Sequence, residues 1–248
     1  MASVQPEGNM KYADISAARL SDTAADSVLN RSAEMAALES HLDALTEHYQ
    51  ELRHSAAGTK ELADLHLQMA RTLAGLERGD EGWGPAREAL DVFIAAEDFE
   101  SAADACDVLF QCGQPGSLAA LGQGIWLAVT YPVDPDLTVE LLNHVIDETP
   151  DDADGAAVAA TTALFIADMR ASGNQRDNLM FFTSQILGNV ARRHSGIQSQ
   201  AEFDLWMDRL ELREPDKFLV RLRNVVDVLV QDDWWFDRDA LQARLPPH

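Results

Sequence analysis

Apolar residues recur at helical spacing from Met35 onward. Met35, Leu38, Leu42, Leu45, Tyr49 and Leu52 fall three or four positions apart and line one face of a long helix. Gly58 and Thr59 interrupt this seam. Thr59 reads as the N-cap of a second helix that carries Leu62, Leu65, Met69, Leu73 and Leu76 at the same spacing. Residues 78–85 read as a break, with Pro85 suited to the first turn of a third helix over about 85–96. A fourth helix over about 100–112 follows after so short a link that the two should be antiparallel neighbours.

Residues 113–116 close that pair. The next two helices, 118–131 and 137–147, are separated by Pro132 and Pro135, which forbid a continuous helix. Pro150 marks another start, into a helix where Ala156, Ala157, Ala159, Ala160 and Ala163 allow close axial packing. Helices over 177–194, 200–212 and 216–231 come next. The last contains Val225, Val226, Val228 and Val230, which lower helix propensity. Phe218, Leu222, Val225 and Leu229 nevertheless keep helical spacing, and the pattern outweighs the propensity. Asp237 reads as the N-cap of a short terminal helix ending at Pro246. No segment shows the strict alternation of a half-buried strand. The expected fold is all-α, about ten helices arranged as antiparallel hairpins in a stacked array or compact bundle. Residues 1–30 read as a loose acidic arm with a short helix near 14–20. Residues 31–248 read as a single all-helical domain whose C-terminal helical part spans 175–248.

Charge changes this picture. Nineteen Lys and Arg face 42 Asp and Glu, a formal net charge of −23. Residues 1–150 hold eight basic and 26 acidic residues, so most of the acidity belongs to the first part of the chain. Such a field repels nucleic acid and anionic membranes and attracts basic proteins or cationic peptides. It equally serves solvation, since the surface is poor in Lys and rich in Asp. The two cysteines, Cys106 and Cys112, lie in an apolar helical stretch and read as buried free thiols. The first residues lack an apolar signal-type core and no run approaches a membrane span, so a cytoplasmic protein is expected.

Candidate chemistry is sparse. Glu51 and His54 have the Glu-x-x-His spacing of carboxylate-bridged iron bundles, but with Glu47 they fall opposite the apolar seam and should face water. Glu140 and His144, four apart, resemble that spacing only loosely. His41 and His48 flank the seam about 10 Å apart along the axis, too far to share one ion, and read as helix-interface residues. Gly122-Gln123-Gly124 lacks the preceding strand and third glycine of a dinucleotide loop and reads as a close helix contact or kink. No hydrolase motif occurs. No catalytic residue, metal ligand or cofactor is expected.

Two clusters remain as candidate partner-binding residues. Arg192, Arg193 and His194 end a helix, where they complement its macrodipole or form a small anion site. Trp234, Trp235 and Phe236, bracketed by aspartates, form either a C-terminal lid or an exposed anchor for a basic partner.

The segment over 86–115, AREALDVFIAAEDFESAADACDVLFQCGQP, resembles a tetratricopeptide-type helical hairpin. Leu90 and Phe93 occupy the first helix's small and aromatic positions, Ala102, Cys106 and Leu109 the second helix's packing series, and Asp98-Phe99-Glu100 the turn. Leu90, Cys106 and Leu109 depart from the usual residue types. Pro150, about 35 residues after Pro115, fits a repeat boundary, and the resemblance covers about 83–165. It implies a curved stack whose inner face binds peptides or partner helices without catalysis. Glu214-Pro215-Asp216 resembles an element of the helical chaperones that assemble molybdenum enzymes, and is also an ordinary helix start. The expected function is therefore a non-enzymatic adaptor or assembly chaperone for a basic or partly unfolded protein. The alternative is a helical cofactor- or metal-binding bundle with enzymatic or redox function.

Overall fold

The computed structural model describes residues 15–55 and 58–245, with side chains from Asn30 onward. Among these residues it is entirely helical, with eleven helices and no strand. In chain order they are α1 (Ile15–Arg53), α2 (Thr59–Gly75), α3 (Gly79–Ala95), α4 (Phe99–Gln111), α5 (Ser117–Thr130) and α6 (Pro135–Glu148). They continue with α7 (Asp154–Arg170), α8 (Gly173–Ser195), α9 (Gln200–Arg209), α10 (Pro215–Val230) and α11 (Arg238–Gln242).

From α1 to α9 each helix packs on the next. In addition α2 touches α4, α4 touches α6, and α6 touches α8, so these four lie side by side in one layer. Helices α3, α5 and α7 form the second layer. Successive members of that layer do not pack on one another, and α10 returns to contact both α5 and α7. The open face of the array is thus filled by the chain's own C-terminal part.

Tight turns join the hairpins. Glu77, Glu97 and Glu211 adopt left-handed backbone (φ 60°, 56° and 52°) immediately after α2, α3 and α9. The following amides, of Arg78, Asp98 and Leu212, donate back to the carbonyls of Leu73, Phe93 and Met207 at 2.9–3.0 Å. This is the Schellman pattern, in which a left-handed residue satisfies carbonyls that a helix end leaves open. Glutamate is strained there compared with glycine. Each of the three carboxylates reaches a cation: Arg31, Arg244 and Lys217 respectively.

The apolar seam of α1 packs as its spacing requires. Leu42 and Leu45 are buried, and Leu42 meets Leu73 and Leu76 of α2. Glu47, Glu51 and His54 face solvent. His41 and His48 are exposed rather than interfacial, because α1 packs on α2 alone and buries only a single stripe. Helix α1 also begins at Ile15, so the segment read as a loose arm is helical over 15–30; residues 1–14 lie outside the described residues.

Helix α3 also departs from expectation. It starts at Gly79, and Pro85 lies inside it. The glycines that read as helix breakers serve packing. A methyl group on Gly79 would stand 2.1 Å from the Cys112 carbonyl oxygen, and one on Gly82 3.0 Å from that of Ala70. Only bare backbone allows α3 to approach α2 and the end of α4 so closely. Thr59 likewise opens α2 as its first residue, with Gly58 at the cap and no capping side chain. Asp237 does cap α11, accepting from the Ala240 amide.

Leu90, Phe93, Ala102, Cys106 and Leu109 are fully buried between α3 and α4. The five alanines singled out in α7 are buried too, as befits a helix enclosed by α6, α8 and α10. Both thiols are free and buried; burial pushes Cys112 up to about 11 and Cys106 higher still. In α10 the buried stripe is Phe218, Leu222, Val226 and Val230, which leaves Val225 and Leu229 half-buried on its flank.

Helix α5 makes close approaches of the same kind. A methyl group on Gly122 would meet Val230 at 2.6 Å and Leu229 at 3.0 Å, and one on Gly124 would meet Cys106 at 2.8 Å. Gly122→Ala and Gly124→Ala should each lower stability by about 1–3 kcal/mol through overpacking. Gly84, also helical, faces open space. Gly84→Ala should instead raise stability by about 0.5–1 kcal/mol. Urea midpoints of the three variants check the contrast.

Candidate functional site

The aromatic trio is a lid. Residues 231–237 are not helical. Trp234 and Phe236 turn to Trp126 of α5, with ring centroids 6.0 and 5.7 Å away. Trp235 turns the other way, edge-on to Trp83 of α3 at 5.9 Å. The chain supplies its own cations to these faces: Arg87 lies 4.7 Å over Trp235 and Arg238 4.6 Å over Trp234. All three rings are half-buried.

The lid is fastened from beneath by Gln123. This side chain is fully buried. Its oxygen accepts from the Trp235 amide at 2.8 Å, and its amide donates to the carbonyls of Asp233 at 3.3 Å and Ala119 at 3.2 Å. Tyr131 at the end of α5 adds a bond from its hydroxyl to the Leu241 carbonyl at 3.2 Å. Helices α5, α10 and α11 line a cavity of about 240 Å³ with Trp126, Leu222 and Val226 in its wall. Its two arginines, Arg223 and Arg238, both lie against Asp227.

The basic cluster at the end of α8 disperses. Arg192 is exposed and bonds to Asn189. Arg193 donates to the Ile146 carbonyl at 2.6 Å and lies 3.6 Å from Asp151. His194 contacts Asp154 through Nε2 at 3.1 Å, while its Nδ1 lies 3.2 Å from the Trp206 indole nitrogen that donates to it. All three lie in the last turn of α8, and Arg193 serves the end of α6 rather than of its own helix. Arg170 does the same for α5, donating to the carbonyls of Ala128 and Val129 at 2.6 and 2.9 Å. The two clusters expected as partner-binding residues therefore contact different elements: the trio meets α3 and α5, whereas Arg193 and His194 meet the ends of α6, α7 and α9. Glu214-Pro215-Asp216 begins α10, with Lys217 bridging Glu211 and Glu214 at 2.8 and 3.0 Å.

Two features escape sequence reasoning. The first is an apolar groove of about 420 Å³ between α10, the start of α5 and the α6–α7 turn. Val145 forms part of its buried wall, Val225 and Leu229 its flank, and Leu118 and Val228 stand exposed along it. The signal was present in Val228, which lies off the buried stripe of α10. The second is a group formed by Asp107 of α4 with Glu140 and His144 of α6. Asp107 sits within ACDVLF, an otherwise apolar run, and its side chain is 1% exposed. It accepts from Gln111 at 2.5 Å and lies 3.0 Å from His144 Nε2. Among the described residues this is the group of His, Cys, Asp and Glu able to hold a metal ion. Glu140 and His144, whose spacing only loosely resembles Glu-x-x-His, meet a third ligand that comes from another helix.

Gln123→Leu keeps the volume but leaves the Trp235 amide and the Asp233 carbonyl without their buried partner. It should cost about 1–3 kcal/mol and admit protease to residues 231–245 before global unfolding. Limited proteolysis against urea unfolding reads both.

The hydrogen bond to Asp107 holds His144 above the usual imidazole value, against the opposing effect of burial; the charges of Asp107, Glu140 and Asp147 act in the same direction as the bond. A raised folded-state value means stabilisation that is full below about pH 6.5 and lost as pH rises through the folded value. The stability difference between the wild type and His144→Gln should accordingly shrink from acid to neutral pH. Urea titrations across that range measure it.

Among the described residues no helix is long and apolar enough to cross a membrane. Comparison with protein-family models, curated proteins and solved structures finds no match to this chain.

Proposed function

We propose that this chain is a non-enzymatic protein-interaction module, an adaptor or assembly chaperone of tetratricopeptide-like build, whose groove along α10 receives a basic amphipathic segment of a protein partner. The observation that carries the reading is the groove itself: a continuous apolar channel beside Leu118 and Val228, the latter 73% exposed, on a protein of net charge −23. An apolar channel open to solvent on a highly charged protein marks a binding surface. Its wall includes Glu148, next to Asp147, Asp151 and Asp152 in and beside the α6–α7 turn. From residue 88 to residue 169 the chain has sixteen carboxylates and neither Lys nor Arg. An apolar channel with an acidic rim matches a helix that presents leucines on one face and lysines or arginines beside them.

The aromatic trio and the α8 basic cluster take supporting roles in this reading. The inner face that a tetratricopeptide-like array would offer is filled by α10 and the lid, so binding moves to the outer edge of α10. The location proposed with this reading is cytoplasmic, and among the described residues no helix is long and apolar enough to cross a membrane.

A fluorescein-labelled amphipathic peptide with leucines on one helical face and lysines on the other is the direct probe. It should bind the intact protein, weaken with added salt, and weaken about tenfold with Val228→Asp. Fluorescence anisotropy reads each effect. Equal binding of an acidic version of the peptide, or unchanged binding to Val228→Asp, would sink the proposal.

A further inference from the structure

The geometry points to Asp107, Glu140 and His144 as a three-ligand site for a divalent transition-metal ion, of which Zn²⁺ is the representative. The inference concerns a different part of the molecule from the groove and stands or falls separately from peptide binding.

The ligand set has the required chemistry. One imidazole and two carboxylates favour a first-row transition ion over Mg²⁺ or Ca²⁺, which prefer oxygen alone. One ligand atom from each residue lies within 4.8 Å of the other two. His144 Nε2 and Asp107 Oδ1 are 3.0 Å apart, close to the separation of about 3.3 Å between two ligands on one tetrahedral Zn²⁺ ion. Glu140 lies one helical turn before His144 on α6, at the solvent edge, with its ligand atom within 4.8 Å of the other two.

The surroundings favour an ion. Gln111 holds the far oxygen of Asp107 at 2.5 Å, so that the near oxygen stays aimed at His144. Phe110 packs against the imidazole at 4.6 Å and fixes its plane. Such outer contacts orient ligands in metal sites. Arg71, whose charge acts on Glu140, is engaged by Asp104. Glu140 forms no ion pair or hydrogen bond of its own among the described residues, and its carboxyl is raised above the usual range by burial and by the charge of Asp107. A dication in this position would neutralise both carboxylates and take the place of the proton that His144 shares with Asp107. With the group opening at Glu140, water completes the coordination.

The test is isothermal titration of Zn²⁺ into chelator-stripped full-length protein, with excess Mg²⁺ present to occupy the general acidic surface. One equivalent should bind and raise Tm. Glu140→Gln, an exposed near-isosteric change, should weaken binding about tenfold or more, as should His144→Ala. Circular dichroism establishes that both variants retain the helical fold. No stoichiometric uptake by the wild type, or uptake that survives either substitution, overturns the assignment.

Discussion

The contact on which the rest of the molecule depends is the approach of α5 to its neighbours through Gly122-Gln123-Gly124. Gly122 presents bare backbone to α10, and Gly124 presents it to Cys106 of α4 and Leu141 of α6. Between them Gln123 is buried and holds the chain just past α10 by its backbone. Three consecutive residues thus join both layers to the C-terminal segment. Their spacing around a helix explains how: at 100° per residue, three neighbours point in three directions. A buried amide is tolerated because its oxygen and nitrogen both find backbone partners, and such a bond carries direction that apolar packing lacks.

The acidic charge is organised around this frame. Arginines from later helices cap earlier ones, Arg170 at the end of α5 and Arg193 at the end of α6. Each helix end gains donors for carbonyls that would otherwise face only solvent or apolar neighbours. The segment from 88 to 169 contains no Lys or Arg of its own, and cations from outside it pair with several of its carboxylates, among them Asp98, Asp104 and Asp154. The groove and the Asp107 group both draw on that segment. One offers an apolar channel beside acidic residues and the other an aimed cluster of ligands, so attraction of cations is common to both while the recognition chemistry differs.

Periodicity made most helices legible. The seam from Met35 to Leu52 and the stripe of α10 follow from spacing alone, because burial on one side imposes it. Boundaries at Pro135, Pro215 and Asp237 were legible as well, since the proline ring and the capping carboxylate act locally. The start of α3 was not. Glycines at 79 and 82 look like breakers until the backbone of Cys112 and Ala70 is placed against them. The aromatic trio was legible only as two alternatives, a lid or an exposed anchor, because nothing local says which neighbours the rings meet; the non-helical segment sends Trp235 to one neighbour and its flanking rings to another. The candidate site was half visible. Glu140 and His144 share a helix and can be paired by counting, but Asp107 lies on α4, and no local rule joins them.

By itself, then, the sequence determined the all-helical class, the number and approximate extent of the helices, and the excess of negative charge. These follow from apolar spacing, from turn and cap residues, and from counting ionisable groups, all of which act within a few residues or without regard to position. Only the tertiary structure decided that α10 fills the space between α5 and α7, that the aromatic segment closes over α3 and α5, and that Asp107 meets His144. Each of these joins residues far apart in the chain. Such pairings depend on how closely two backbones can approach, and that distance is set by the neighbour as much as by the residue itself.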